Sequence, residues 1–565
     1  MKYLIKRSIA SLMISISLIF STLPLDVHAA ESVTSPVQGV YYLADTIQVE
    51  VKGILNEHTT DGTRIGVVLY MTNIGDQITG LPEYELRVKT SEGIEYMLRP
   101  SKVNAAAILP KEKIEFSYMV VVDREESFML SELLWVDVNP FVYPKKEKPE
   151  LTIPILGFEW YGDASNITNL VSIKPWAEAF TIPLLSSPLE YMPVNLKKQQ
   201  SPTGVDALLT ILVENKAKLI QSVPDFRIDG KTSKKIFHGS RVEKGAITIE
   251  PGDKRYIHYA IPMDNQEELL SLNVLTPESF VIDDKKSINY TIGRLNIQLP
   301  GTGEALYQAT PYERGAFIPF DPLNKLISTN ILVSLNELQM HESDGERYKT
   351  VVAKFNIENR SDTMIAVPNF LVELTSGEGS NYMGTRQELS NKSLIPNINY
   401  VIYYYFVVPY TEKGNQLIVS ILDGESAAPY NIPIASLQTK IQTGNNNAKL
   451  SFYPFEVQLN EWKIESKYEA GELMYSNKLF LDMNILQGKA VVDQKFTKML
   501  VEVVREGKVF ASEALSFIGD NRLTRGERFI SFKSKQYSYD YLVKIYEVVD
   551  TPYGEAKRLL RTLQQ

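Results

Sequence analysis

Few side chains in this sequence could carry out chemistry, and their spacing does not match a known catalytic or metal site. The 565 residues contain no cysteine, which excludes a thiol nucleophile and a zinc–thiolate site. Beyond residue 30 the histidines are His58, His238, His258 and His341, and none pairs with another at zinc-ligand spacing. The stretch 229–235, DGKTSKK, lacks the first glycine of a phosphate loop, and no Gly-x-Ser-x-Gly is present. We therefore expect a protein that is not an enzyme and has no cofactor.

One repeated pattern could bind a metal ion through oxygen atoms. HTTDG begins at His58 and HESDG at His341, and each precedes a similar strand-like run. In the second copy Glu342, Asp344 and Glu346 are weak candidates for Ca²⁺ ligands. Ca²⁺ takes about six to eight oxygens, so three carboxylates fall short. Asp-Gly is also an ordinary turn signal, and the sequence therefore favours a turn without metal.

Residues 1–29 have the features of a signal peptide. Lys2, Lys6 and Arg7 precede the apolar run SIASLMISISLIF, and the small residue Ala29 ends the segment. Cleavage there would remove three basic residues and Asp26, which moves the formal net charge from −9 to −11. We expect a secreted, extracellular chain without a later membrane span, either released or held at the cell surface. Its acidity argues against a nucleic-acid partner.

A motif recurs along the chain at a nearly fixed period. An asparagine is followed nine residues later by a proline in three stretches: Asn73 to Pro82, Asn215 to Pro224, and Asn359 to Pro368. A second proline and a tyrosine eight residues beyond it follow each time: Pro110 and Tyr118, Pro251 and Tyr259, Pro396 and Tyr404. A weaker fourth copy aligns Phe496 with the first proline and Phe532 with the tyrosine. Fixed-period similarity predicts repeated structural units.

Each repeat has the pattern of antiparallel strands. In KIEFSYMVVV, residues 113–122, Ile114, Phe116 and Tyr118 share one face, while Glu115 and Ser117 share the other. This period of two predicts a half-buried strand. Asp-Gly, Glu-Gly and Pro-Gly pairs separate such runs, and helical periodicity is lacking. The pattern predicts an all-β chain of antiparallel β-sandwich domains, with the repeated tyrosine in each core.

The run VVLYMTNIGDQITGLPEYELRVKTSEGIEY, followed by ILPKEKIEFSYMVVV, resembles the immunoglobulin-like extracellular modules of secreted Gram-positive proteins. The resemblance is carried by Asn73, Pro82, Tyr84, Gly93, Pro110 and Tyr118, and it implies ligand binding or scaffolding without catalytic residues. The predicted organisation is four tandem immunoglobulin-like domains after the cleaved signal peptide. Its segments are a signal peptide 1–29, repeat 1 at 32–157, an aromatic connector 158–186, repeat 2 at 187–300, a connector 301–321, repeat 3 at 322–441, a flexible linker 442–449 and a divergent repeat 4 at 450–565.

Two sets of side chains are candidates for partner binding. In NYVIYYYFVVPY, residues 399–410, the outer face is apolar as well as the inner one: Val401, Tyr403, Tyr405 and Val407. Exposed strips of this kind favour aggregation, so either another part of the chain covers it or a partner binds there. Trp160 and Trp176 make the first connector unusually aromatic.

We expect a non-catalytic binding or scaffolding protein of the cell surface, whose partner is an extracellular or envelope protein or a cell-wall polymer. An accessory docking factor of an envelope or export complex is the second alternative. A carbohydrate-active enzyme is the third, because paired carboxylates can be brought together by the fold alone.

Overall fold

The computed structural model describes residues 39–565 except 184, 186, 203, 301–308, 443–448 and 494. Regular structure in this part of the chain is almost entirely β-strand, with one short 3-10 helix at Leu170–Ser172. The all-β prediction is confirmed. The predicted signal peptide, residues 301–308 of the second connector and residues 443–448 of the predicted linker lie outside the described residues. Within the described ranges, no helix has the length and apolarity that a membrane span requires.

The chain divides into two compact units. Unit 1 is Met1–Tyr161 together with Ser279–Ile288, and unit 2 is Gly162–Glu278 together with Asn289–Gln565. The four-domain division and its boundaries stay a prediction.

Unit 1 holds the strands of the first repeat. In chain order they are β1 (Tyr41–Ala44), β2 (Ile47–Thr59), β3 (Gly62–Asn73), β4 (Thr79–Gly80), β5 (Glu85–Thr90), β6 (Glu95–Met97), β7 (Arg99–Pro100), β8 (Ala107–Ile108), β9 (Lys113–Val122), β10 (Leu130–Asn139), β11 (Lys146–Pro154) and β12 (Glu159–Trp160). One sheet has the order β1-β2-β3-β9-β7, with β12 parallel to β2, and the other has the order β11-β10-β5-β6. Val67 and Phe116 from the first sheet and Val88 and Trp135 from the second meet in one buried core.

The second repeat follows the 3-10 helix. Its strands are β13 (Ile173–Pro175), β14 (Leu189–Ser201), β15 (Gly204–Asn215), β16 (Gln221–Ser222), β17 (Arg227–Lys231), β18 (Ile236–His238), β19 (Ser240–Arg241), β20 (Thr248–Ile249), β21 (Lys254–Met263), β22 (Ser271–Asp283) and β23 (Lys286–Gln298). The sheets have the orders β14-β15-β21-β19 and β13-β23-β22-β17-β18. The tip of the β22–β23 hairpin, residues 279–288, belongs to unit 1.

The third repeat lies entirely in unit 2. Its strands are β24 (Thr310–Pro311), β25 (Ile331–Glu342), β26 (Tyr348–Asn359), β27 (Ile365–Ala366), β28 (Leu371–Thr375), β29 (Asn381–Met383), β30 (Thr385–Arg386), β31 (Ser393–Leu394), β32 (Asn399–Pro409), β33 (Leu417–Ala427) and β34 (Tyr430–Thr439). One sheet contains β25, β26, β32 and β30, and the other has the order β24-β34-β33-β28-β29.

The C-terminal segment completes unit 2. Its strands are β35 (Lys449–Phe452), β36 (Phe455–Glu469), β37 (Met474–Gln487), β38 (Ala490–Val491), β39 (Lys498–Arg505), β40 (Lys508–Ser516), β41 (Gly526–Ser534), β42 (Leu542–Thr551) and β43 (Gly554–Gln564). Strands β35-β36-β37-β41 form their own sheet, whereas β43-β42-β39-β40 continue the sheet of the third repeat through β25.

One strand order recurs in all four segments. The sheets β11-β10-β5-β6, β23-β22-β17-β18, β34-β33-β28-β29 and β43-β42-β39-β40 place successive strands in the same relative order. The opposing sheets β2-β3-β9-β7, β14-β15-β21-β19 and β25-β26-β32-β30 also correspond, while β36-β37-β41 lacks the short last strand. The repeats found in the sequence therefore share a chain path as well as a spacing.

The repeated asparagine and the second proline meet in the fold. Asn359 is buried, its Nδ2 donates to the carbonyls of Thr363 at 2.8 Å and Leu394 at 2.9 Å, and its Oδ1 accepts from the Ser361 N–H at 2.9 Å. Its own carbonyl accepts from Asn397, the residue after the second proline, which has a positive φ of 58°. Asn73 and Asn215 make the corresponding bonds to their loops. These bonds explain the constant spacing between the asparagine and the two prolines. In each of these three repeats one buried asparagine holds both the loop that follows it and the turn after the second proline.

The predicted inner faces of the repeated strands are also found, although Ser117, predicted on the outer face of the first, is buried as well. Tyr259 and Tyr404 are fully buried, and each hydroxyl donates to a backbone carbonyl, of Phe226 at 3.1 Å and Phe370 at 2.5 Å respectively. Phe532 is buried in the C-terminal core, and Tyr118 packs partly buried against the core of unit 1. An apolar body with a hydroxyl that reaches a carbonyl suits tyrosine at this position.

Candidate functional site

A cleft in unit 2 is formed by the second and third repeats. Its volume is about 540 Å³, within the range of about 300–1,000 Å³ that is usual for ligand sites. The charged side chains that line it are Glu243, Glu250, Asp253, Lys254, Arg255, Asp321, Lys325 and Asp423. Strand β21 supplies one wall with Lys254, Tyr256 and His258, because alternate residues of that strand point away from its own core. Arg255, near the start of the strand, also lines the cleft.

A histidine and a glutamate sit deepest in this cleft. His258 is 3% exposed, and its Nδ1 lies 2.6 Å from Oε1 of Glu243, while its backbone N–H donates to Oε2 at 3.1 Å. Burial alone would raise the pKa of Glu243, but the bonds from His258 hold that pKa below its usual value. Nε2 of His258 is buried and has no hydrogen-bond partner among the described residues.

The cleft is held in place by contacts from the hairpin of β33 and β34. The Tyr430 hydroxyl donates to the buried Asp206 carboxylate, and its ring packs against Leu208 and Ala260. Gln199 exchanges two hydrogen bonds with the backbone of Asn431, at 2.7 and 3.0 Å. Lys197 forms an ion pair with Glu373, and Tyr256 donates to Asp321 at 2.6 Å. The relative position of the second and third repeats is thus fixed by polar groups that are partly or fully buried.

A second cluster of charges lies in the sheet shared by the third and fourth repeats. Nζ of Lys354 is 2.8 Å from Glu337 and 2.7 Å from Glu547. Glu547 also accepts from Arg558 at 2.6 Å and lies 3.2 Å from Nε2 of His341. His341, Lys354 and Glu547 have no measurable exposure. The charges of the two cations and the two carboxylates balance, which favours burying these groups together.

The charge states in this cluster follow from its contacts. Burial alone would raise the pKa of Glu547, but Lys354 and Arg558 hold that pKa well below its usual value. Burial would lower the pKa of Lys354, and Glu337 and Glu547 raise it instead. Burial lowers the pKa of His341 in spite of the nearby carboxylate. At neutral pH the cluster therefore contains two ion-paired cations and a neutral imidazole.

A third cluster is more exposed and lies on the second repeat. Among the described residues, Asp163, Asp229 and His238 are the one group of acidic and histidine side chains close enough together to share a metal ion. Arg227 already occupies the space between the carboxylates, with 2.6 Å to Asp163 and 2.8 Å to Asp229. Lys231 donates to Ser165 O at 2.6 Å nearby. These bonds attach residues 163–165 to β17, which indicates a structural role.

The predicted binding strip on β32 must be corrected. Val401, Tyr403 and Tyr405 are only 4%, 1% and 2% exposed, because they belong to a core that the fourth repeat completes with Phe496 and other side chains. A partner from outside cannot contact these three residues. Of the two alternatives for the strip, coverage by another part of the chain is the one that the burial supports.

The remaining binding candidates are placed differently. Val407, on the same face of β32, stays partly exposed and lines a pocket of about 510 Å³ with Tyr348, Tyr382, Met383 and Tyr553. Trp160 is 5% exposed in β12 beside β2, so its prediction as a binding residue is also wrong. Trp176 is half-buried and packs against the core of the second repeat.

The weak metal candidates lie in an open turn. Glu342, Asp344 and Glu346 are exposed, and Asp344 pairs with Lys557 at 3.1 Å. The adjacent His341 points inward to Glu547 rather than toward the turn. The three carboxylates do not form a metal cluster in the described part of the chain.

Sequence reasoning missed the buried charges. Lys354 interrupts the apolar run TVVAKFNI, and Glu547 lies in LVKIYEVV. A single charge inside a buried strand is the signal that could have identified them, since such a charge needs a partner. Nothing in the sequence indicated which distant strand supplies that partner.

No family model matches the sequence, and no curated protein matches it. A solved structure described as the BSP domain of a biofilm-associated protein is similar at 7% identity, over 95% of this chain and 98% of that chain, with a TM-score of 0.14. A TM-score this low does not support a conclusion about the role of this chain.

Proposed function

We propose that this chain is a secreted, non-catalytic scaffolding and binding protein of the cell surface, built from four immunoglobulin-like β-sandwich modules. The observation that carries the proposal is the recurrence of one strand order together with contacts that join successive repeats. Tandem modules that are joined in this way present surfaces at fixed positions, which is what a scaffold requires.

The polar clusters support a role without catalysis. The Lys354–Glu547 cluster is buried inside a shared sheet, and the Asp229 cluster is closed by Arg227. Both groups are used in ion pairs that connect parts of the fold. A catalytic acid or base must instead reach the substrate directly or through one water.

The cleft with His258 is the proposed binding site. Its wall carries both carboxylates and cations, and Arg255 and Lys325 have exposed side chains there. Such a mixture of acceptors and donors beside Tyr256 suits a hydroxyl-rich polymer that also carries charge. We therefore propose a cell-wall polymer as the ligand, because its hydroxyls can accept hydrogen bonds from Arg255 and Lys325 and donate to the exposed carboxylates of Glu250 and Asp253.

Co-sedimentation of the purified mature chain with purified cell walls tests this function. We expect binding that the double variant Arg255→Ala with Lys325→Ala weakens about tenfold, since two charge-assisted hydrogen bonds would be lost. The matched control, Lys218→Ala with Lys234→Ala, removes two exposed lysines elsewhere on the second repeat and should leave binding unchanged. Absence of wall binding, together with retention of the chain inside the cell, would overturn the proposal.

A further inference from the structure

The hairpins β22–β23, β33–β34 and β42–β43 occupy the same place in their repeats, and the tip of each contacts residues of the repeat before it. In unit 1, Val281 exchanges hydrogen bonds with Ser101 at 3.0 and 3.2 Å, and Asp284 pairs with Lys102 at 2.6 Å. Within unit 2, the tip of β33 and β34 holds the second repeat through Tyr430, as described above. The tip of β42 and β43 contacts the third repeat, since the Tyr553 carbonyl accepts from Tyr348 at 3.0 Å and its hydroxyl bonds Thr385.

In the first repeat the corresponding tip is exposed along residues 139–146. It joins β10 and β11, and its sequence NPFVYPKK places two aromatic side chains in solvent. Phe141 is 94% exposed and Tyr143 fully exposed, although Asn139 orders the turn by accepting from the Phe141 N–H at 3.0 Å. Lys145 and Lys146 follow directly. An ordered tip that exposes two aromatic rings indicates an interaction site.

The fourth repeat has the complementary property, because the outer face of its own sheet is uncovered. In the second repeat the corresponding face is buried at Leu208, His258 and Ala260, and in the third at Tyr403 and Tyr405. In the fourth repeat, Phe529 on β41 is 47% exposed and lies against Phe480 on β37 with ring centroids 5.5 Å apart. Among the described residues, this face is therefore more exposed than its counterparts in the second and third repeats.

Charge adds to the match between the free tip and the free face. Glu461, Asp482 and Glu527 lie opposite one another on β36, β37 and β41, two residues along each strand from the row that contains Phe480 and Phe529. This places a row of three carboxylates beside the two phenylalanines. Lys463 and Lys478 lie over the rings of Phe480 and Phe529, at 5.3 and 3.9 Å from the ring centroids, and Lys463 is paired with Glu465. The row of carboxylates is therefore the part of this face that can pair with the two lysines beside the aromatic rings of the tip.

We propose that chains associate head to tail, with the β10–β11 tip of one copy bound to the outer face of β36, β37 and β41 of a second copy. Tip and face are different surfaces, so the contact is heterologous, and successive copies can add to an open chain. The inference builds on the proposed scaffolding function and gives it a second copy as a partner. In such a chain the series of repeats would continue from one molecule to the next.

Sedimentation velocity of the full mature chain over a range of concentrations tests this inference. We expect the sedimentation coefficient to rise with concentration, and Phe141→Ser with Tyr143→Ser to weaken association by about a hundredfold or more, as for the loss of two aromatic anchors. The control Leu219→Ser with Ile220→Ser removes two exposed apolar side chains of the second repeat, at 74% and 56% exposure, and should associate like the parent chain.

Charge reversal gives a second test that does not depend on the aromatic residues. Lys145→Glu with Lys146→Glu, and separately Glu461→Lys with Glu527→Lys, should each remain monomeric, because tip and face then repel each other. A mixture of the two variants should associate again, since every tip then finds a face of opposite charge.

Three outcomes would overturn the inference: a parent chain that is monomeric at every concentration, association that persists without the two aromatic residues, and charge-reversed variants that fail to associate when mixed. Binding of the tip to phosphatidylglycerol vesicles without self-association would likewise replace it with membrane docking. A monomeric chain that still binds cell walls would overturn this inference and leave the proposed function standing.

Discussion

At the scale of single residues, the buried asparagine of each repeat is the clearest test of the fold. Asn359→Ala would leave the buried Leu394 carbonyl, the Thr363 carbonyl and one N–H without their partner, which we expect to cost about 2–4 kcal/mol. Gln487, the aligned residue of the fourth repeat, is exposed, and Gln487→Ala should stay within about 0.5 kcal/mol. Hydrogen exchange of β26 and β32 would measure the difference. Equal protection in both variants would contradict the role of Asn359.

His341 predicts a dependence of stability on pH. Its pKa in the folded chain is lowered by burial, below the value of about 6.5 expected when unfolded. Below about pH 6.5 the unfolded chain therefore binds a proton that the folded chain does not, and stability falls as the pH decreases. Urea unfolding from pH 7 to pH 5 should show this loss, and His341→Gln, which can still donate to Glu547, should reduce it. An unchanged pH slope in the variant would contradict the assignment.

At the scale of elements, the shared sheet depends on the charges inside it. Lys354→Met removes the cation that pairs with the carboxylates of Glu337 and Glu547 in a buried site. We expect it to lower the free energy of unfolding by about 3–5 kcal/mol. Lys349→Met, on the same strand but partly exposed, is the control and should have a small effect. Thermal unfolding would compare them. A Lys354 variant as stable as the control would show that the cluster does not stabilise the shared sheet.

The local pattern of each strand was predictable from the sequence, but its neighbours were not. The alternation of apolar and polar residues in 113–122 predicted the buried face that contains Phe116. The Asn-to-Pro spacing predicted the loop that the Asn73 side chain holds through hydrogen bonds. The apolar outer face around Tyr403 indicated that something covers it. The sequence did not show that β39, β41 and β42 do so, because the covering side chains lie about a hundred residues away and carry no signal of their target.

At the scale of the whole chain, we expect the third and fourth repeats of unit 2 to behave as one cooperative structure rather than as two independent domains. Their common core contains Tyr403 and Tyr405 from β32 together with Tyr541 and Val543 from the C-terminal strands. Residues that share a core should lose protection together when that core is damaged.

Hydrogen exchange of the full chain carrying Tyr541→Ala tests this claim most directly. Tyr541 is fully buried in the shared core, and its truncation should cost about 3–5 kcal/mol. We predict faster exchange in β42 and equally in β32, whereas Ile228→Ala in the core of the second repeat should affect β21 and leave β42 unchanged. Loss of protection in β42 with β32 unaltered would contradict the account.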